Sequence, residues 1–577
     1  MKIISGIFKI FTLVSAICFF LIGCQNNNND PRPKKPEPMS TKTAMQYFKD
    51  EGINIGINLG NTLDAVDNWT RKDKPVAVEG AWGAGRATQE HFNGLAALGF
   101  KIVRIPCTWV GHIGPAPDYK IDEARLRRVA EVIGYAKNAG LKAFINLHHD
   151  GNSGQNMGGW LDISKAVDGD TSISDKYEKV WKQIAEYFIN YGDWLMFQGF
   201  NEIHDGSWKY TGTQEEYNVI NTWNQKFTDA VRSTGGNNAK RYLLYYGYMT
   251  SHEIALADYS KFILPADNIG GSGRQIIGFH YYQPEFAIRS ITHEWDNMNA
   301  RKNIDTVFSA FKKNFIDKGI PVIIGENGPL RYNDFIDKTG ASFNPNFKPE
   351  NVPAAKQNRL LYIDYMYGRA RENSLIPFFW ENGNFDEAFN EGDACLFDRK
   401  TGKPNSDESA EVIRHMFGAI NGTIPIPPPN PNASFSSWTV YSAEGSRITY
   451  TSTSGRNRIQ GTVGEGSWAN VNAAPNDAML EELKTMRALS FMTNGNEKQY
   501  AVIFVTPETI ESGYNHYRYT FTAAGSESRI TVNIPGGIRQ YWGKPVPFIQ
   551  ENIQYIQFQL ADTGDFDLTV WDIRVHQ

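Results

Sequence analysis

Eight short apolar runs, each closed by polar or turn residues, recur through the first two thirds of the chain: Asn54–Leu59, Ile102–Pro106, Ala143–Leu147, Leu195–Phe200, Arg241–Tyr246, Ile276–His280, Val322–Gly325 and Ile376–Trp380. Apolar character that is continuous rather than alternating predicts strands buried on both faces. Between these runs the period changes. Arg125, Leu126, Val129, Val132, Ile133 and Ala136 give Asp122–Asn138 one mostly apolar stripe, and that segment is predicted helical, as is Ser174–Ile189. Strands and helices alternating over residues 41–422 predict an α/β fold, a TIM (β/α)8 barrel with long loops. The alternative is a doubly wound open sheet, which usually opens with a glycine-rich phosphate turn. Gly56-Ile-Asn-Leu-Gly60-Asn61 contains glycines but no GxGxxG.

Past Gly422 the pattern is different. Residues 423–432 include Ile424-Pro-Ile-Pro-Pro-Pro-Asn-Pro431, the composition of a stiff linker. Within residues 433–577, Trp438–Tyr441, Arg447–Thr451, Ala488–Thr493, Gln499–Val505, Tyr517–Phe521, Arg529–Ile534, Ile553–Leu560 and Phe566–Val575 read as strands parted by Gly, Asn and Ser. Helical pattern is confined to about Asp477–Lys484. This predicts an all-β sandwich domain following the barrel.

At the other end, Lys2 and Lys9 precede an apolar stretch, Ile10–Leu21, that is short for a membrane span and has signal-peptide form. It ends Leu21-Ile22-Gly23-Cys24, which is similar to a bacterial lipobox except for Ile22, where small residues are more usual. Residues 1–24 are therefore expected to be a lipoprotein-type signal with lipidation on Cys24, and residues 25–40 a flexible tether. The expected location is a bacterial cell envelope, lipid-anchored at the outer membrane or cell surface. A plain signal peptide or an uncleaved anchor is the alternative.

A chain of 577 residues exceeds one ordinary domain. Its net charge of −5, without long runs, argues against a nucleic-acid partner, which would call for a basic face, and fits a neutral ligand. The 14 Trp and 27 Tyr are a surplus that suits stacking on sugar rings. With Cys18 lost in the signal and Cys24 lipidated, only Cys107 and Cys395 remain. That excludes a disulfide framework, and two buried free thiols are expected. No Cys/His spacing suggests zinc, and no metal or cofactor is signalled.

The chemistry concentrates where the predicted strands end. Leu195-Met-Phe-Gln-Gly-Phe-Asn-Glu202 and Pro321-Val-Ile-Ile-Gly-Glu326 each close an apolar run with a carboxylate. A solvated residue leaving a strand is the plain reading of either one. In a TIM barrel, however, active sites lie at the C-terminal ends of the strands, and cleavage of a sugar acetal requires two carboxylates. The other ends agree: Asn58 and Asn61; Arg104; His148-His149-Asp150; His280-Tyr281-Tyr282; Trp380-Glu381-Asn382.

This constellation resembles glycoside hydrolase family 5 on Arg104, His148, Asn201-Glu202, His280, Tyr282, Glu326 and Trp380. Gly56 to Asp64 is similar to the subgroup rich in endoglucanases and xyloglucanases. The resemblance spans about Thr41 to Gly422. It implies a retaining endo-β-1,4-glucanase, with Glu326 as nucleophile and Glu202 as acid and base. Arg104 would keep Glu326 ionised and Tyr282 would fix its rotamer. Asn201 would bind the sugar 2-hydroxyl, and His280 would orient Glu202 or hold its proton. His148 and His149 would contact hydroxyls, Trp380 would form the stacking floor, and Asn61 would bind substrate. Two departures are visible: Ile203 follows the first Glu where many members have Pro, and Asn327 follows the second where many have an aromatic residue.

The expected partner is a β-glucan or related plant polysaccharide, and the protein is expected to be monomeric. Xyloglucan, mixed-linkage glucan and mannan remain open as substrates, as does a non-catalytic surface glycan-binding lipoprotein. Trp69, Trp82, Trp109, Trp160, Trp208 and Trp295 lie in or near loops that could line the cleft. The sandwich looks like a carbohydrate-binding module, with Trp438, Trp468, Tyr514, Tyr517, Tyr519, Tyr541 and Trp542 as candidate stacking residues. A domain that only buttresses the barrel is the alternative.

Overall fold

The computed structural model describes residues 30–151, 156–256, 260–283, 298–329, 352–383, 395–426 and 434–576, apart from 454 and 542. Cys24, Trp295, Trp542 and most of the proline-rich segment lie outside them.

Eight parallel strands close into a barrel: β1 Gly56–Asn58, β2 Ile102–Ile105, β3 Lys142–Ile145, β4 Leu195–Gln198, β5 Leu243–Tyr245, β6 Gln275–His280, β7 Val322–Asn327 and β8 Ile376–Phe379. Each pairs with its sequence neighbours, and β1 closes the ring by pairing with both β2 and β8. These are the eight apolar runs of the sequence. Apart from Lys142, which opens β3, they are buried because helices cover the outside and side chains fill the inside. The covering helices include α1 Gln89–Ala97, α2 Glu123–Asn138, α3 Thr171–Tyr187, α4 Gln214–Ser233, α5 Met298–Asn314, α6 Val352–Glu372 and α7 Asp407–Asn421. Helix α4 starts on a capping box, in which the Thr213 hydroxyl accepts from the Glu216 amide while the Glu216 carboxylate accepts from the Thr213 amide.

One irregularity shapes the site. Ile324 pairs with Phe279 on β6, but His280 pairs with Glu326, so Gly325 is an extra residue in β7. The β8 side shows the same shift, with Ile324 opposite Pro377 and Asn327 opposite Phe379. This is a β-bulge at the tip of the seventh strand.

A second, separate core belongs to a sandwich of two five-stranded antiparallel sheets. Trp438 stacks on Tyr450 and Phe558 against this core. Tyr517 and Tyr519 also pack on this core, whereas Trp468, Tyr514 and Tyr541 are exposed. Two strands not expected from the sequence, Arg456–Val463 and Ala469–Pro475, complete the sheets. Arg574 of the sandwich meets Glu372, at the end of α6, at 3.1 Å.

The expected tether differs in its described part. Residues 30–40 lie against the barrel because Glu37 finds partners there. Its carboxylate accepts from the Gly192 amide and the Trp194 indole and pairs with Lys137. Ile426, at the start of the proline-rich segment, is likewise buried against the barrel. Cys107 and Cys395 are both buried. Among the described residues no helix is long and apolar enough to cross a membrane.

Candidate active site

The strand ends deliver their polar residues to one rim. Arg104, fully buried on β2, is the hub. Its Nη1 donates to Glu326 Oε1 at 2.7 Å and to Asn58 Oδ1 at 2.8 Å, its Nε to Gln198 Oε1 at 2.7 Å, and its Nη2 to Asn201 Oδ1 at 2.6 Å. Glu326 is completed by the Tyr282 hydroxyl, which donates to Oε2 at 3.0 Å. One cation and one hydroxyl thus hold the two oxygens of this carboxylate.

Glu202 sits in the opposite environment. Among the described residues it has no Lys or Arg at hydrogen-bond distance, and desolvation pushes its carboxyl up to about 7, against smaller opposing effects of His204 and Arg104. Its Oε1 lies 2.7 Å from His280 Nδ1, and the same nitrogen is 3.5 Å from Glu326 Oε2. Ligand atoms of Glu202, His280 and Glu326 all fall within 4.8 Å of one another. Burial drives His280 down to about 3, so this imidazole is neutral between two carboxyl groups.

The floor and far wall follow. Trp380 stacks on His148 with ring centroids 5.6 Å apart and planes 5° from parallel. The missing side chain of Gly60 makes room for it: a Cβ there would lie 2.8 Å from the Trp380 ring. His148 Nδ1 is held by the Asn146 amide, and the His148 and His149 rings meet edge-on. Burial holds both histidines well below the usual range. Asn61, in the left-handed region at φ 54°, forms the turn after β1, where the buried Asp64 carboxylate accepts from the Asn61 and Thr62 amides. Burial pushes Asp64 up to about 7.

All ten expected site residues are thus strand-end or loop neighbours on one rim, with Asn58, also at a strand end, and Gln198 clamping Arg104. Gln198 was hidden in an apolar strand, where one polar residue carries little signal. Glu381, at the end of β8, turns away and pairs with Arg399 at 2.5 Å. Asn327 faces the wall, with its Nδ2 donating to the Phe378 carbonyl and its Oδ1 accepting from Tyr367. Trp109 is core. Trp82 lies beside His149, and the exposed Trp208 packs on His204 two positions beyond Glu202.

Among the described residues, two clusters bring metal-ligating atoms together: Glu202, His280 and Glu326, and Asp64, His148 and His149. In the first, Glu326 already holds Arg104 and Tyr282. In the second, both Asp64 oxygens accept backbone amides.

A closed parallel barrel with two carboxyl groups, a neutral histidine and a stacking tryptophan at its C-terminal mouth defines the glycoside hydrolase class. The chain belongs to the family described as Cellulase (glycosyl hydrolase family 5), whose model matches residues 63–386. It is 34% identical over 366 residues to Endoglucanase A of Paenibacillus barcinonensis, covering 60% of this chain and 84% of that one. It is 32% identical over 381 residues to a xyloglucan-specific endo-β-1,4-glucanase of Bacteroides ovatus, covering 63% and 68%. Among solved structures, a GH5-4 broad specificity endoglucanase from Bacteroides salanitronis aligns with a TM-score of 0.56 and 36% identity, over 67% of this chain and 97% of that one. The protein is an endoglucanase- or xyloglucanase-type glycan hydrolase.

Proposed function

We propose that this enzyme cleaves β-1,4-glucan chains internally with retention of anomeric configuration. Glu326 attacks the anomeric carbon and forms a glycosyl ester. Glu202 protonates the departing oxygen and then takes a proton from the incoming water. The observation that carries this reading is the reach between the two carboxyls, whose oxygens come within 4.8 Å. Retaining sites hold the pair about 5–5.5 Å apart, whereas inverting sites need about 6.5–9.5 Å for a water. The environments divide the roles: Arg104 and Tyr282 each bind one oxygen of Glu326, while burial raises the Glu202 carboxyl. Asn201, oriented by Arg104, has Nδ2 left for the sugar 2-hydroxyl. His148, His149 and Asn61 bind further hydroxyls, and Trp380 carries the ring. NMR of a soluble β-glucan digest tests the assignment: the first product must be the β-anomer, and an α-anomer would refute Glu326 as nucleophile.

Xyloglucan and mixed-linkage glucan are accommodated by the same chemistry, with mannan a further candidate. A polysaccharide panel with reducing-end detection ranks them. The proposed setting is a bacterial envelope, with the chain lipid-anchored through Cys24. Metabolic labelling with a radioactive fatty acid should mark the wild-type chain and spare Cys24→Ala. We further propose that the sandwich binds glycan through its exposed Trp468, Tyr514 and Tyr541, raising the local concentration of polymer at the barrel. Alanine at these positions should weaken retention on insoluble glucan while leaving hydrolysis of soluble oligosaccharides intact.

A further inference from the structure

Tyr246 directly follows β5, is buried, and has a hydroxyl with no hydrogen-bond partner among the described residues. His280 Nε2 is also buried and without a partner there. The two groups adjoin. The Tyr246 and His280 rings meet edge-on with centroids 5.3 Å apart. A Cβ on Gly325 would lie 1.9 Å from the Tyr246 hydroxyl and 3.2 Å from His280 Cδ2. A Cβ on Gly278 would lie 2.3 Å from the Tyr246 ring. Glycine at both positions makes the space the tyrosine occupies.

A neutral imidazole carries one N–H. Nδ1 faces Glu202 at 2.7 Å and Glu326 at 3.5 Å. The proton therefore belongs on Nδ1, since a lone pair there would oppose Glu326 Oε2, an oxygen that already acts as acceptor toward Tyr282. Nε2 is then a buried acceptor in need of a donor. We propose that Tyr246 is a positioning residue whose hydroxyl proton is directed to His280 Nε2 through one ordered water, and so holds the Nδ1–H tautomer. That tautomer keeps an N–H on Glu202 Oε1 throughout the cycle. The acidic proton is confined to the other oxygen, and the carboxylate form is stabilised when Glu202 must act as base. The groups facing Glu202 and His280 are Arg104, His148, His204, Tyr246, Tyr282 and Glu326.

This inference rests on Glu202 being the acid and base, and its test separates the two. Tyr246→Phe keeps the ring and removes the donor. We expect an unchanged melting temperature, a kcat lowered about tenfold, and a basic limb of kcat/KM moved up by about half a pH unit or more as the Glu202 carboxylate loses its N–H. Nitrogen-15 spectra of histidine-labelled enzyme should show the Nδ1–H tautomer in wild type and a mixture in Tyr246→Phe. Tyr246→Leu, which loses ring packing, should lower the melting temperature. A Tyr246→Phe enzyme with wild-type pH profile and histidine spectrum overturns the proposal. Full turnover by Glu202→Gln would instead overturn the reading on which it rests.

Discussion

Arg104 Nη1 lies 2.7 Å from Glu326 Oε1, and the same guanidinium is tied to Asn58, Gln198 and Asn201, so one side chain from the second strand positions groups at the first, fourth and seventh. Arg104→Met leaves a buried carboxylate without its counter-ion. It is expected to cost about 3–5 kcal/mol in urea unfolding and to abolish hydrolysis. Arg104→Lys keeps the charge but loses the planar fork, so it should fold and still lose most of its turnover.

Replacing each carboxyl separates the two roles. Glu326→Gln should remove turnover on every substrate. Glu202→Gln should lower kcat about 10²–10⁴-fold on polysaccharide, and much less on an aryl glycoside whose leaving group needs no proton. Steady-state kinetics on both substrates check this. Equal losses on the two would contradict Glu202 as the acid.

The raised Glu202 carboxyl sets the pH response. The free enzyme needs it protonated, so kcat/KM should fall as pH rises through about 7. Stability has its own sign. Glu202 and Asp64 both hold protons in the folded chain that the unfolded chain releases near pH 4 to 5, roughly. The native state binds more protons across that window, so these two groups make stability decline as pH climbs from about 4 to 7. Melting temperatures across that range should show a shallower decline in Asp64→Asn than in wild type.

Gly325 and Tyr246 should couple. Gly325→Ala places a methyl on the Tyr246 hydroxyl, and an overpacked site of this kind costs about 1–3 kcal/mol. In a Tyr246→Phe background the oxygen is gone and part of that cost should return. A double-mutant cycle on unfolding free energies measures it, and strict additivity would contradict the packing described.

Glu37 fastens residues 30–40 to the barrel. Glu37→Ala strands the Trp194 indole and the Gly192 amide, at about 1–3 kcal/mol. Limited proteolysis should then cut the segment near residue 35 faster than in wild type.

The barrel strands were legible because burial on both faces makes them plain apolar runs, and the rim residues because each sits where such a run stops. Where two neighbouring residues play different parts, the pattern is silent. Trp380 and Glu381 are adjacent, yet one lines the cleft and the other pairs with Arg399, a partner supplied by a distant loop. Strand Ala469–Pro475 escaped notice because its inward residues are Ala469, Val471 and Ala473, small side chains with little apolar weight. Residues 30–40 have a tether's composition, and a single carboxylate meeting an indole and an amide is enough to dock them.

Counting by alternation from Ile324, which lies opposite the helix-facing Phe279, Glu326 would point toward the outer helices. The additional Gly325 resets that phase, turning Glu326 inward opposite His280 and sending Asn327 outward to Tyr367. A residue without a side chain thereby decides which of two consecutive polar groups faces the barrel mouth. The asparagine that follows becomes part of the frame, tied to the Phe378 carbonyl and the Tyr367 hydroxyl.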